Sequence, residues 1–127
     1  MKAVLLDTHT WAWTLTESDR LSAKARTMIE QAQTVLLSPI SFFEIGQKVR
    51  LGKWPAMEHL VSRLPAILEE QGGGIVELTP TICLHAATMS WPHRDPFDRL
   101  LAASAIHHDV PLISADSVFE GIVTRLW

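Results

Sequence analysis

A chain of 127 residues, 47% hydrophobic and 20% charged, is long enough for one real core and too apolar to be disordered. Its net charge of -3 excludes nucleic-acid binding through a global basic field, so such a role needs a local patch or bound cations. One cysteine, Cys83, excludes an internal disulfide and fits a reducing cytoplasm, and no stretch has the length of a membrane span.

The chain opens on a short apolar run, Met1 to Leu6, of the kind buried on both faces of a parallel sheet. It is too short for a signal peptide, and Asp7 interrupts it. A carboxylate is costly to bury without a cation or hydrogen bonds. At the C-terminal edge of a parallel sheet, Asp7 stands where open α/β folds bind ligands.

Thr8 to Leu15 reads as a helix with Trp11, Ala12 and Leu15 on one face. Ser22 can cap a second helix, through Leu21, Ala25, Met28, Ile29 and Ala32. Thr34 to Leu37 is a second strand, broken by Ser38-Pro39-Ile40. Ser41 is expected to open a third helix, buried through Phe42, Ile45 and Val49 and ended by Gly52. Trp54-Pro55 is a turn. A helix from about Met57 to Gln71 follows, kinked or split by Pro65. Gly72-Gly73-Gly74 reads as helix end and turn, and Ile75 to Glu77 as a third strand.

Thr79-Pro80 is a cap followed by a first-turn proline. Ile82, Ala86 and Met89 carry that helix inward. Asp95-Pro96 starts the next one, with Phe97, Leu101, Ala105 and His108 expected on its inner face. Pro111 to Ser114 is a fourth strand running into Asp116. Ile122 to Leu126 is a fifth, edge strand. Strands alternating with helices predict one domain, residues 1–127, of the α/β class with a parallel sheet.

Four acids bear on one edge of that sheet. Asp7, Glu44 and Asp116 reach it because strand C-termini and the following helix N-termini lie together. Asp98 does not follow from this rule. Each has a structural reading. Ser41-Phe42-Phe43-Glu44 has the form of a capping box. Asp98 lies in a helix first turn, where the dipole favours anions. Asp116 suits a turn. Convergence of the four would create repulsion that a cation relieves. An oxygen-only site suits Mg²⁺ or Mn²⁺ rather than zinc, and phosphodiester hydrolysis is the matching chemistry.

Leu5-Leu6-Asp7-Thr8-His9, Ser41-x-x-Glu44, His93-Arg94-Asp95-Pro96-Phe97-Asp98-Arg99-Leu100-Leu101-Ala102-Ala103 and Ile113-Ser114-Ala115-Asp116-x-x-Phe119 resemble, in this order, the PIN domain. They resemble most closely the VapC-type ribonuclease toxins of bacterial toxin–antitoxin systems. The resemblance implies a three-layer α/β/α sandwich with a five-stranded parallel sheet. It implies a cytoplasmic, Mg²⁺- or Mn²⁺-dependent endoribonuclease, a homodimer, and a small VapB-like antitoxin partner. It places Asp7, Glu44, Asp98 and Asp116 together as metal-holding and catalytic acids, with Thr8 and Ser114 as supporting hydroxyls.

Other residues keep two readings. Arg94 and Arg99 can hold RNA phosphates or pair with neighbouring acids. Lys48, Arg50 and Lys53 form either an RNA-facing patch or a solvated helix face. Trp11, Trp13 and Trp54, among five tryptophans in a chain without tyrosine, can stack on bases, anchor an antitoxin helix or pack in the core. His9, His93, His107 and His108 read as packed or solvent histidines. A haloacid-dehalogenase phosphatase would carry a second aspartate where His9 stands. A receiver domain would carry an acid pair that is not evident. A PIN-like binding or scaffold module without catalysis is the remaining alternative.

Overall fold

A computed structural model of the protein describes residues 2–127. The strands are β1 (Ala3–Leu6), β2 (Thr34–Leu37), β3 (Gly74–Ile75), β4 (Leu112–Ile113) and β5 (Arg125–Leu126). The helices are α1 (Thr8–Thr16), α2 (Ala23–Gln31), α3 (Pro39–Arg50), α4 (Leu64–Glu70), α5 (Pro80–Thr88) and α6 (Pro96–His108). All four strand pairings are parallel, in the order β3-β2-β1-β4-β5. The expected α/β fold with a five-stranded parallel sheet is what forms.

The apolar first strand serves both faces by alternation. Val4 and Leu6 join Trp11, Ala12, Ala25, Ile45 and Leu68 on one side, where α1, α2, α3 and α4 pack. Leu5 joins Leu101, Ala102 and Ala105 of α6, with Phe119, on the other. α5 lies outside and packs on α6 through Ile82, Ala86 and Ala103. Strand order reverses at β1, because the chain leaves toward β2 and returns at β4. The crevice at the C-terminal ends of β1 and β4 is therefore the switch point, where such sheets bind ligands.

Local chemistry explains most boundaries. Ser22 caps α2 by accepting from the Ala25 N–H at 2.9 Å. Thr79 does the same for α5, with Pro80 in the first turn. Gly72 ends the α4 segment at φ +72°, where glycine is favoured, and a Cβ on Gly73 would press on the Leu68 side chain and approach Val35 O at 3.3 Å.

Several boundaries differ from the sequence expectation. α3 starts at Pro39, with Ser38 as the cap, because a proline is favoured in a first helical turn. Ser41 is therefore inside the helix and buried, and the capping box with Glu44 does not form. Residues 57–71 do not form one helix. A 3₁₀ turn at Val61–Arg63 precedes α4, and Pro65 falls in the first turn of α4. β3, β4 and β5 are shorter than expected. Met89 lies just past α5, Phe97 is half-buried, and His108 is exposed at the end of α6, where its Nε2 reaches Glu77 O.

Candidate active site

Asp7 immediately follows β1 and caps α1. Its Oδ1 accepts from the Thr10 N–H at 2.7 Å. Its Oδ2 accepts a very short bond from the Ser114 hydroxyl, just past β4. The same Ser114 Oγ accepts from the Asp116 N–H at 3.1 Å. Ser114 thus ties the ends of the two central strands together and aims both acids. Asp7 is buried, and loss of hydration raises its pKa against the lowering effect of the Ser114 and Thr10 bonds.

Asp98 reaches the same edge for a topological reason. Only Asp109, Val110 and Pro111 separate α6 from β4. α6 must therefore end where β4 begins, and its first turn lies at the strands' C-terminal edge. Asp95 caps it by accepting from the Asp98 N–H at 3.0 Å. Asp98 Oδ2 stands 2.7 Å from His93 Nε2. Its pKa is raised to about 6, first by desolvation and then by the charges of Asp95 and Glu44, against the lowering effect of His93.

Glu44 projects from α3 and accepts from Lys48 Nζ, one turn on, at 2.7 Å. Asp116 caps a 3₁₀ turn at Ser117–Phe119 through the Val118 N–H at 3.0 Å. These acids have ordinary structural duties, and they also share one space. Asp7, Glu44, Asp98 and Asp116 line a single cavity of about 400 Å³, together with Asp95, Lys48, His9 and Trp13. Five carboxylates against one ammonium make it strongly negative on a chain of net charge only -3.

Among the described residues, no three His, Cys, Asp or Glu side chains stand close enough to hold one ion together. Each acid is instead turned toward its own partner: Ser114, Lys48, His93 or Val118. The donor set nevertheless fits a hard divalent cation. The lining carboxylates supply only oxygen, and two of them carry a desolvation cost that a cation would offset.

The other predicted residues fall elsewhere. The Thr8 hydroxyl turns away from the acids and donates to Ser41 Oγ at 2.9 Å, fastening α1 to α3. Arg99 pairs with no acid among the described residues. Its guanidinium donates to four backbone carbonyls, of Ala86, Met89, Trp91 and His93, at 2.6–2.8 Å. Arg94 is exposed and lines a neighbouring, more apolar cavity with Trp91 and Cys83. Trp11 is core and donates to Gln71 Oε1 at 3.0 Å. His93 and the cavity position of Asp95 escape the sequence reading. Their one signal is that both lie in the segment carrying Asp98.

The Asp98 shift has a consequence for the metal-free protein. A raised folded-state pKa means the fold favours the protonated acid, so this stabilisation is complete below 3.8 and lost as pH rises through about 6. In EDTA, Asp98→Asn should gain about 1–3 kcal/mol over the parent between pH 4 and pH 7. Chemical denaturation across that range checks it; a pH-independent difference would show that Asp98 is not desolvated.

A model of the PIN domain matches residues 4–123. The chain is 33% identical to Ribonuclease VapC22 of Mycobacterium tuberculosis over 118 residues, which cover 91% of this chain and 88% of that protein. Among solved structures, it resembles VapBC2 from Rickettsia felis bound to a promoter DNA fragment, with a TM-score of 0.68 at 14% identity over 98% of both chains. A toxin–antitoxin complex from Klebsiella pneumoniae gives 0.65 at 16%, and FitAcB from Neisseria gonorrhoeae gives 0.62 at 19%, each over 98% of this chain and 96% of the other. At such identities these structures share the fold.

Proposed function

The chain belongs to the PIN domain family, and from that premise we propose that it is a metal-dependent endoribonuclease toxin neutralised by a small VapB-like antitoxin. One observation carries the proposal: acids from β1, α3, α6 and the β4 exit line one negative cavity at the topological switch point. The relative at 33% identity is a ribonuclease, and the structural neighbours include toxin–antitoxin complexes. No described helix is long and apolar enough to cross a membrane. Residues 1–127 would act as one PIN domain, as a homodimer. Phe43 and Leu84, 61% and 68% exposed, supply apolar surface for self-association.

Asp7 and Asp98 would hold the principal Mg²⁺ or Mn²⁺, with Glu44 and Asp116 completing its shell directly or through water. Such an ion supplies an activated water and neutralises charge on the leaving oxygen. The chain's own groups prepare the site. Ser114 fixes the Asp7 carboxylate, and its bond to the Asp116 N–H sets the two acids in register. Lys48 holds Glu44 by donating to its carboxylate at 2.7 Å. His93 keeps the Asp98 carboxylate in place and can take or return a proton at Oδ2.

Purified protein should cut single-stranded RNA with Mn²⁺ and stop in EDTA. Asp98→Asn should lower the rate by about 100-fold or more. Cleavage unaffected by EDTA, or by Asp98→Asn, would overturn the proposal. The spread of the acids is the observation that favours the rival reading, a binding module without catalysis. Calorimetry with Mn²⁺ separates the two, since the rival requires no ion.

A further inference from the structure

A second cavity, of about 390 Å³, opens beside the acids, and His9, Trp13 and Lys48 line both. Three aromatic rings line it. His9 stacks on Trp54 with ring centroids 4.7 Å apart and 26° between planes, and Trp13 tilts against His9 at 5.9 Å. Cations lie over two of these rings. Arg20 lies 5.0 Å from the Trp13 centroid and Lys48 lies 5.5 Å from that of Trp54. Lys53 adds a third positive charge and has no ion pair among the described residues. Glu17 is the one acid in the lining, and it is already paired with Arg20 at 3.2 Å.

The geometry points to a nucleotide subsite: we infer that an unpaired base flanking the scissile phosphate stacks on the His9–Trp54 platform, with Lys53 and Arg20 on its phosphates. This rests on the nuclease reading above and extends it to the strand's path. The cavity's sign is the reverse of its neighbour's. A polyanion is repelled by the acids, so it needs a compensating surface next to them. Aromatic rings in a positively charged cleft are what binds a single strand, because every base has a π-face while phosphates require charge. A continuous duplex would keep its bases stacked on each other and leave the platform unused. Lys48 sits at the junction. Moving from Glu44 to an incoming phosphate would free that carboxylate and neutralise the strand in one displacement.

The test uses the Asp98→Asn protein, which spares the substrate, with Mg²⁺ and a short fluorescein-labelled single-stranded RNA. Trp54→Ala should weaken binding by about 5- to 100-fold by anisotropy. Trp54→Phe should restore most of it. Lys53→Ala should lower the salt slope of log K by about 0.7, the value of one lost single-strand phosphate contact. Trp54 packs against the core, so should Trp54→Ala unfold, the salt slope of Lys53→Ala at the exposed Lys53 decides. A parent-like Kd in folded Trp54→Ala, or a parent-like salt slope in Lys53→Ala, would overturn the inference and leave the groove to a protein partner. Binding does not depend on cleavage, so failure of the parent enzyme to cut RNA in Mn²⁺ would instead sink the nuclease reading.

Discussion

Asp7→Asn should abolish RNA cleavage and, in EDTA at pH 7, make the protein more stable. Both effects come from one property. Asp7 is a buried carboxylate at the end of a buried strand, and burial raises its pKa. Without a cation the fold must hold this charge, or a proton, against the pull of hydration. Asparagine removes the charge and keeps the shape. Its Oδ1 still accepts from the Thr10 N–H, and its amide can donate to Ser114 Oγ, which has acceptor capacity. The raised pKa sets the sign of the change in EDTA, a gain in stability. The expected loss is about 100- to 1000-fold in cleavage rate. Stabilisation by Mn²⁺, expected of the parent, should shrink or vanish. Denaturation with and without Mn²⁺, beside an RNA-cleavage assay, checks all three. A variant that cuts RNA like the parent would remove Asp7 from the site. One less stable than the parent in EDTA would mean that the bonds from Ser114 and Thr10 outweigh the cost of burying the charge. Stability set against activity in this way is characteristic of functional sites.

Arg99→Ala should cost about 3–5 kcal/mol of stability and should reduce cleavage as well. The side chain gathers four carbonyls across residues 86–93, from the last turns of α5 through the loop that leads to α6. Charged donors make strong bonds to neutral carbonyls, and removing them leaves these acceptors to a loop with no other anchor of this kind. Trp91 lies under the guanidinium at 5.9 Å and packs on Phe119, so the clamp also ties the loop to the core. His93 supplies one of the clamped carbonyls and is also the partner of Asp98. Loosening it would release the Asp98 carboxylate. Arg99→Lys should rescue little, because an ammonium cannot reproduce the planar fork over four acceptors. Thermal melts of the three proteins are decisive, with a loss of about 10 °C or more expected for alanine. A change within a degree or two would show that water replaces the guanidinium without penalty.

The legible parts of this chain were those written in short-range chemistry. β1 and β2, the Ser22 and Thr79 caps, the Asp95-Pro96 start and the glycine turn can each be read from a few neighbouring residues, because caps, prolines and apolar runs act locally. The start of α3 shows the limit of this reading. Ser38 and Ser41 both suit a cap, and Pro39 decides between them. That choice changes the meaning of Glu44, which becomes a cavity acid paired with Lys48 instead of half of a capping box.

By itself, the order of apolar runs, breakers and acids determined a parallel α/β sheet with Asp7, Glu44 and Asp116 at its C-terminal edge. Strand–helix alternation leaves parallel strands few other ways to connect. Only the tertiary structure decided the rest. The short link from α6 to β4 brings Asp98 to the same edge, and the packing of residues 86–93 turns Arg99 inward to backbone carbonyls. Ser114 meets Asp7 across 107 positions of sequence, and His9 stacks on Trp54 in the lining of the second cavity. The physical reason is common to all of these. A side chain's partner is set by which groups the sheet order and helix packing leave unsatisfied nearby, and that information is absent from residue type and spacing.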